Sequence, residues 1–297
     1  MEKSSARLAL LALVVAVIAL IAAFSNSFAP LSRSIAPSKE TAFERVMKAH
    51  TLRCAYALWP PHFMIDSATN TKSGINYEIM EAIGKTANLK IEWVEEVGYG
   101  AFAENLRSGK EDIFCSGAWM SVPRAQRVEY TAPTEYTPIY AYVREGDARF
   151  DNNLEAINEE KITIATIDGT AMAAVADKTF PKAKKFTLPS DADSSAAILN
   201  VATGKADVAT FEALIIRNYN QHNPDKKLRR VAGLGPLRTF GVAFSVGKGE
   251  WELRDMLNTA IAELHGDGTI DKIIAKYETE PGAILRVAKP FAAPVTP

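Results

Sequence analysis

Strand-like and helix-like segments alternate between residues 52 and 116, and the same alternation starts again at residue 161. In the first series, LRCAYA (52–57) suits a strand that the turn WPPHF (59–63) breaks. Tyr77, Ile79, Met80, Ile83 and Ala87 then share one side of a helix, with Asn76 as a candidate cap. IEWV (91–94) reads as a second strand, and Phe102 and Leu106 mark a helix that stops at Gly109. The second series runs through KITIATI (161–167), an alanine-rich helix after Asp168-Gly169-Thr170, KKFTL, a helix from about Ser194 to Ala202, and DVATF. A βαβαβ order predicts a mostly parallel sheet with helices on both faces. Having it twice predicts two similarly built lobes. A short echo supports this: Ser108-Gly109-Lys110-Glu111-Asp112 and Thr203-Gly204-Lys205-Ala206-Asp207 each precede a strand.

Two extended segments, TPIYAYVREG (137–146) and RTFGVAFSVGKG (238–249), are placed to join the lobes. The chain is then expected to run out to the second lobe and back to the first, ending in helices over Trp251 to Leu264 and Ile270 to Tyr277. The expected divisions are 41–138 with 241–280 for lobe 1, 139–240 for lobe 2, and 281–297 as a flexible tail. Ligands of open α/β sheets collect beyond the carboxyl ends of strands, so two facing lobes make a cleft and two connections make a hinge.

Composition narrows the partners. An apolar fraction of 47% with 23% charged residues is that of a folded globular chain, and a net charge of -1 gives no reason to expect nucleic acid. His50, His62, His222 and His265 are scattered, without ligand spacing, so no metal or cofactor is expected. Cys54 and Cys115 lie in strand-like apolar runs and read as two small buried hydrophobes rather than a disulfide. At the amino end, Lys3 and Arg7 precede the wholly apolar residues 8–24. This is the pattern of an export signal, expected to occupy residues 1–25 as a cleaved signal peptide or a retained membrane anchor. A polar, proline-containing spacer (26–40) follows, so the remainder is expected outside the cytoplasmic membrane, in the periplasm.

The most informative stretch is DIFCSGAWMSVPRAQRVEYT, residues 112–131. It opens as a strand buried on both faces and breaks at Gly117, where a ligand can approach the backbone. Pro123 then suits a helix start, just before Arg124. A guanidinium there can grip a carboxylate with two parallel N–H donors. Taken alone, the stretch favours the plainer reading, an ion pair between Arg124 and Glu129 on a solvated helix face.

Four motifs in order resolve this. WPPHF, the helix start from Gly74 to Ile83, the run SGKEDIFCSGAWMSVPRAQRVEYTAP, and the closing LHGDGTIDKIIAKY together resemble the extracytoplasmic solute-binding proteins of amino-acid ABC importers, family 3. The resemblance runs from about Leu52 to Tyr277. It implies a two-lobed periplasmic-binding-protein-like fold. It also implies a monomer that traps a small carboxylate-bearing or amino-acid-like ligand and delivers it to a permease in the inner membrane. By position, Arg124 matches the family's carboxylate clamp. Gly117 and Trp119 occupy its ligand-contacting turn, and Trp59 its covering aromatic residue. Thr170 matches a hydroxyl at a helix start, and Glu212 the acceptor for the ligand ammonium. Departures are Trp119 in place of Ser or Thr, Ala171 in place of a second hydroxyl, and Glu in place of Asp at 212.

Each residue also has a plainer role. Trp59 and Trp119 suit a core, Thr170 a helix cap, Glu212 a solvated helix start, His62 the rim of a site and Asp168 a turn. No catalytic residue is expected. The alternatives are a cyclohexadienyl-type dehydratase on the same fold and a membrane-tethered sensor ectodomain.

Overall fold

The computed structural model describes residues 16–17, 40–189 and 192–288. Apart from Ala16 and Val17, the expected signal or anchor lies outside the described residues, as do residues 26–39 of the spacer and 289–297 of the tail. The first lobe contains α1 (Ala42–Ala49), β1 (Thr51–Tyr56), the ribbon β2 (Met64–Ile65) and β3 (Lys72–Ser73), α2 (Ile75–Ala87) and β4 (Lys90–Glu96). It continues through α3 (Phe102–Ser108), β5 (Ile113–Trp119), the single turn α4 (Val122–Ala125) and β6 (Val128–Tyr130). Strand β7 (Glu135–Arg144) leads to β8 (Thr163–Ile167), α5 (Ala171–Thr179), β9 (Lys184–Leu188) and α6 (Ser194–Ala202). After β10 (Val208–Glu212), α7 (Ala213–His222) and β11 (Leu228–Arg230), strand β12 (Arg238–Gly247) returns to α8 (Trp251–Gly266) and α9 (Thr269–Tyr277).

The sheet order β4-β1-β5-β12-β7-β10-β8-β9 expresses the two-lobed plan. Strand β1 pairs in parallel with β4 and β5, and β8 in parallel with β9 and β10. Between these two parallel groups run β7 and β12, each ten residues long and mutually antiparallel. The far part of β12 pairs with β5, and the far part of β7 with β10. Each long strand therefore spends one end in each lobe. The expected boundaries at 138/139 and 240/241 fall inside these strands.

The echoed aspartates do the same work in both lobes. Asp112 N–H donates to the Arg53 carbonyl at 3.0 Å, and Arg53 N–H donates back to the Asp112 carboxylate at 2.9 Å. Asp207 repeats this with Thr163, at 2.7 and 3.0 Å. Both carboxylates also hold arginines, Arg53 on Asp112 and Arg149 on Asp207. The turn ahead of each central strand is thus pinned to the neighbouring strand. One apolar core gathers Leu52, Ile79, Ile83, Ile113, Phe244, Leu257 and Ile261 in lobe 1. Lobe 2 packs Ile198, Val201, Phe211 and Tyr219 on one side of its sheet, and Phe150, Ile164 and Phe180 in a separate cluster.

Three expectations are corrected here. Cys54 and Cys115 are not free thiols: they form a disulfide with Cα atoms 5.5 Å apart. Cys54 lies in register with Ile113 on the adjacent parallel strand, so Cys115, two residues on, presents its side chain on the same face. Such a bond suits an oxidising compartment. Residues 281–288 are not a flexible tail. Ala283 and Ile284 are buried, and Tyr136 and Leu285 exchange backbone hydrogen bonds of 2.8 Å in both directions. The apolar Ala-Ile-Leu run lies along β7, and the Glu278 carboxylate accepts from the N–H groups of Gly282 and Ile284. Asn76, finally, is not the helix cap; Gly74 holds that place, and the Asn76 amide turns inward to the Ser116 carbonyl.

Candidate functional site

The strand ends of the two lobes face each other across a cavity of about 360 Å³, lined by Trp59, Tyr99, Trp119, Arg124, Thr170, Ala171, Met172 and Glu212. That volume suits a small solute. Five of the six sequence-derived site residues therefore meet in one place. Gly117 does not line it. Its φ of +72° favours glycine, and a Cβ there would lie 2.5 Å from the Asn76 amide nitrogen and 2.8 Å from Val242. Gly117 thus allows Asn76 and β12 to close on the end of β5.

The lobe 1 wall is aromatic and braced. The WPPHF turn is closed by mutual backbone hydrogen bonds of 2.9 Å between Trp59 and Phe63. Ala57 N–H donates to the buried Ser116 hydroxyl at 2.8 Å, fastening the end of β1 to β5. One face of Trp59 stacks on His62 at 3.8 Å, and one face of Trp119 stacks on Phe240 at 4.7 Å. The two indoles stand nearly perpendicular, with centroids 6.1 Å apart, and Tyr99 meets Trp59 at 89°. Three rings with their backs supported make a rigid corner.

Arg124 donates to the Trp119 carbonyl at 2.9 Å and lies 5.4 Å from the centre of the Phe102 ring. It makes no ion pair among the described residues. Glu129, its partner in the plainer reading, is taken by Lys248 at 2.8 Å and by the Trp251 indole at 3.1 Å. Most of the guanidinium donors are therefore left for the cavity. Trp119 Nε1 and the Tyr99 hydroxyl are buried without a hydrogen-bond partner among the described residues. Burial holds the Tyr99 phenol well above its ordinary pKa, reinforced by the Glu212 charge.

The lobe 2 wall is a helix start and a bare carboxyl. The Thr170 hydroxyl caps α5, accepting from Ala173 N–H at 3.1 Å while donating to the Ile167 carbonyl at 2.8 Å. Its cap role and its place on the cavity coincide. The N–H groups of Ala171 and Met172 have no intrahelical acceptor, as at any helix start, and the helix dipole there favours an anion. Glu212 ends β10 and caps α7 at only 5% exposure, with no hydrogen bond to its carboxyl among the described residues. Burial raises its pKa to about 7, partly opposed by nearby His62. A solvated helix start would be half-exposed and near its ordinary value; Glu212 is neither.

His62, expected at the rim, is fully buried behind Trp59, with Nε2 3.0 Å from an oxygen of buried Glu135. Glu135 begins the hinge strand β7, far from the turn in sequence, and so could not be foreseen as its neighbour. Tyr99 and Met172 were also missed. Tyr99 sits between Gly98 and Gly100 on a loop, where a large ring has no local packing reason to be. Met172 carries no such signal. Among the described residues, no cluster of three or more His, Cys, Asp or Glu side chains suits a metal, and no helix is long and apolar enough to cross a membrane.

A cleft between two α/β lobes, spanned by two long strands and walled by a guanidinium without an ion pair among the described residues and a buried carboxyl, is the plan of a solute-binding protein. Residues 52–280 match the model of the bacterial extracellular solute-binding proteins, family 3, and the chain belongs to that family. It is 25% identical over 227 residues to a probable histidine-binding protein of Neisseria gonorrhoeae, covering 76% of this chain and 82% of that one. It is 24% identical over 212 residues to the probable amino-acid-binding protein YxeM of Bacillus subtilis, covering 70% and 76%. Among solved structures, a lysine complex of a putative ABC-transporter binding component from Wolinella succinogenes has a TM-score of 0.65 at 21% identity, covering 78% of this chain and 97% of that one. An ancestral amino acid-binding protein, described as a precursor of cyclohexadienyl dehydratase, has a TM-score of 0.63 at 23% identity, covering 80% and 99%.

Proposed function

We propose that the protein captures a small zwitterionic, amino-acid-like solute by closing its lobes, and presents it outside the cytoplasmic membrane to an ABC permease. One observation carries this reading: a guanidinium from lobe 1 and an unpartnered buried carboxyl from lobe 2 wall the same cavity. A buried carboxylate without a partner is costly, and a ligand ammonium supplies one. Arg124 then takes the ligand carboxylate, helped by the free N–H groups of Ala171 and Met172. Closure removes water from both pairs, which strengthens them and makes mispaired ligands expensive. Relatives that bind amino acids support the choice of class, and the aromatic corner restricts size. Ala57 and Leu58 offer no carboxylate to a basic side chain, which argues against lysine and arginine as ligands.

Calorimetric titration of the full chain with an amino-acid panel tests this. One zwitterionic ligand is expected to saturate the site, and Arg124→Ala to weaken it by roughly 10- to 150-fold, the range for a hydrogen bond to a charged group. Unchanged affinity in Arg124→Ala removes the clamp assignment, and no binding by any amino acid removes the ligand class. One observation favours a second reading: a carboxyl titrating at about 7 also suits a proton donor. Turnover of prephenate or arogenate, followed by ultraviolet absorbance and lost in Glu212→Gln, would establish dehydratase chemistry instead.

A further inference from the structure

A second cavity, of about 500 Å³, opens on lobe 2 away from the aromatic corner. Besides Arg229, three cations from three elements line it: Arg217 of α7, Lys227 of the following loop and Arg230 of β11. None of them is held by a carboxylate among the described residues; Arg230 only lies over the Tyr140 ring, at 4.6 Å. Tyr142 also lines the cavity. It is 3% exposed, and its hydroxyl has no hydrogen-bond partner among the described residues. Tyr142 is in register with Arg230 on the neighbouring strand, so this donor and this cation are adjacent by construction.

The frame around these groups is tied down. Asn220 clamps Leu228 twice, donating to its carbonyl at 2.7 Å and accepting from its N–H at 3.0 Å. Arg229 is fully committed, to both oxygens of Asp151 at 2.9 and 2.8 Å. That commitment anchors the base of β11 and separates Arg229 from its unpaired neighbours. The opposite wall is the C-terminal segment that crosses β7, where Tyr140 donates to the Gly282 carbonyl at 3.4 Å and Glu280 lines the cavity.

We propose that this cavity is a second binding site, taking a small molecule that carries a phosphate-monoester group. Glu280 offsets one of the three charges, so a single carboxylate, planar and monovalent, would still leave one cation without a counter-charge. A tetrahedral dianion presents oxygens in several directions at once, to Arg217, Lys227 and Arg230 and to the Tyr142 hydroxyl. Glu280 fixes the orientation. Its charge keeps the phosphate towards β11, and its oxygens accept from hydroxyl groups on the ester. The occupied site would bind the C-terminal segment to lobe 2 alongside a hinge strand, so the ligand would also raise the unfolding temperature of the protein.

Titration of the full chain with inorganic phosphate and with glycerol 3-phosphate tests the site, beside flotation on vesicles of phosphatidylcholine with or without phosphatidic acid. Saturable binding of glycerol 3-phosphate is expected, weaker at higher salt. Lys227→Gln with Arg230→Gln is expected to cost about tenfold or more, and Tyr142→Phe about two- to tenfold. Both variants should keep the wild-type melting temperature in phosphate-free buffer. Flotation only with phosphatidic acid, sensitive to the same variants and without binding of the free ester, assigns the phosphate to a lipid headgroup. Absence of saturable binding to ester and vesicle, or equal binding by both variants, overturns the proposal.

Discussion

The two walls of the cleft are made on different principles although the two lobes share one plan. In lobe 1 every large group facing the cavity is braced: Trp59 by His62, Trp119 by Phe240, Tyr99 by the Phe114 ring, Arg124 by the Trp119 carbonyl. The strands beneath, β1 and β5, are further joined by the Cys54–Cys115 disulfide. In lobe 2 the cavity meets a helix start whose Ala171 and Met172 N–H groups lack intrahelical acceptors, and a carboxyl that nothing pairs among the described residues. One wall is preorganised and the other is unsatisfied. Binding energy from the second is realised only when a ligand supplies the missing charges, so on the proposed reading Arg124 and the lobe 2 groups give the ligand its hold and the lobe 1 rings its shape.

The largest expected effect falls on the lobe 1 brace. Closing a loop of 61 residues, the disulfide contributes on the order of 4 kcal/mol through the entropy of the unfolded chain. Replacing both cysteines with alanine should lower the denaturant midpoint by a corresponding amount. A change below about 1 kcal/mol would mean that packing alone braces β1 against β5.

Next is Glu212. Its carboxyl has a folded pKa of about 7, above its unfolded value, so the folded state binds the proton more tightly. Stability from this group is complete below the unfolded pKa and is lost as pH rises through about 7. Glu212→Gln should therefore stabilise the unliganded protein at pH 8, by up to about 3 kcal/mol, while weakening ligand binding roughly 10- to 150-fold. Wild-type affinity should rise about tenfold between pH 6 and pH 8 as the carboxylate forms, and stay level in Glu212→Gln. A level wild-type profile by calorimetry would mean that the carboxyl does not meet the ligand ammonium.

What the sequence made legible and what it hid follow the same division. Periodicity and turn residues gave the strand-helix order, because those signals are local. The Ser-Gly-Lys-Glu-Asp echo pointed to a shared plan, and the structure shows why: Asp112 and Asp207 make the same pair of bonds to Arg53 and Thr163. Trp59, Trp119, Arg124, Thr170 and Glu212 were reached through motif position, since they stand at strand ends, at helix starts or in the WPPHF turn. Beyond Tyr99 and Met172, the misses are relations between distant segments. Cys54 and Cys115 are 61 residues apart, and His62 and Glu135 meet only once the hinge strand passes behind the WPPHF turn. Leu285 pairs with Tyr136 across most of the folded chain. No spacing rule encodes such contacts.

The smallest effect concerns Trp119, which stands where a hydroxyl residue is usual and decides whether the aromatic corner selects by size. Its ring has one face on Phe240 and its edge region at Trp59, so it fills space that a serine would leave open. Trp119→Ser removes a stacked pair worth about 0.5–1.5 kcal/mol beyond its buried area, and enlarges the cavity towards β12. Arg124 should keep its hold on the position 119 carbonyl, because that bond is to the backbone. Charge recognition is thus expected to survive while selectivity relaxes: the preferred ligand should weaken about three- to tenfold and bulkier zwitterions should gain. If bulkier ligands gain nothing, the ring lies against the ligand as a stacking surface, and the aromatic corner supplies binding energy as well as shape.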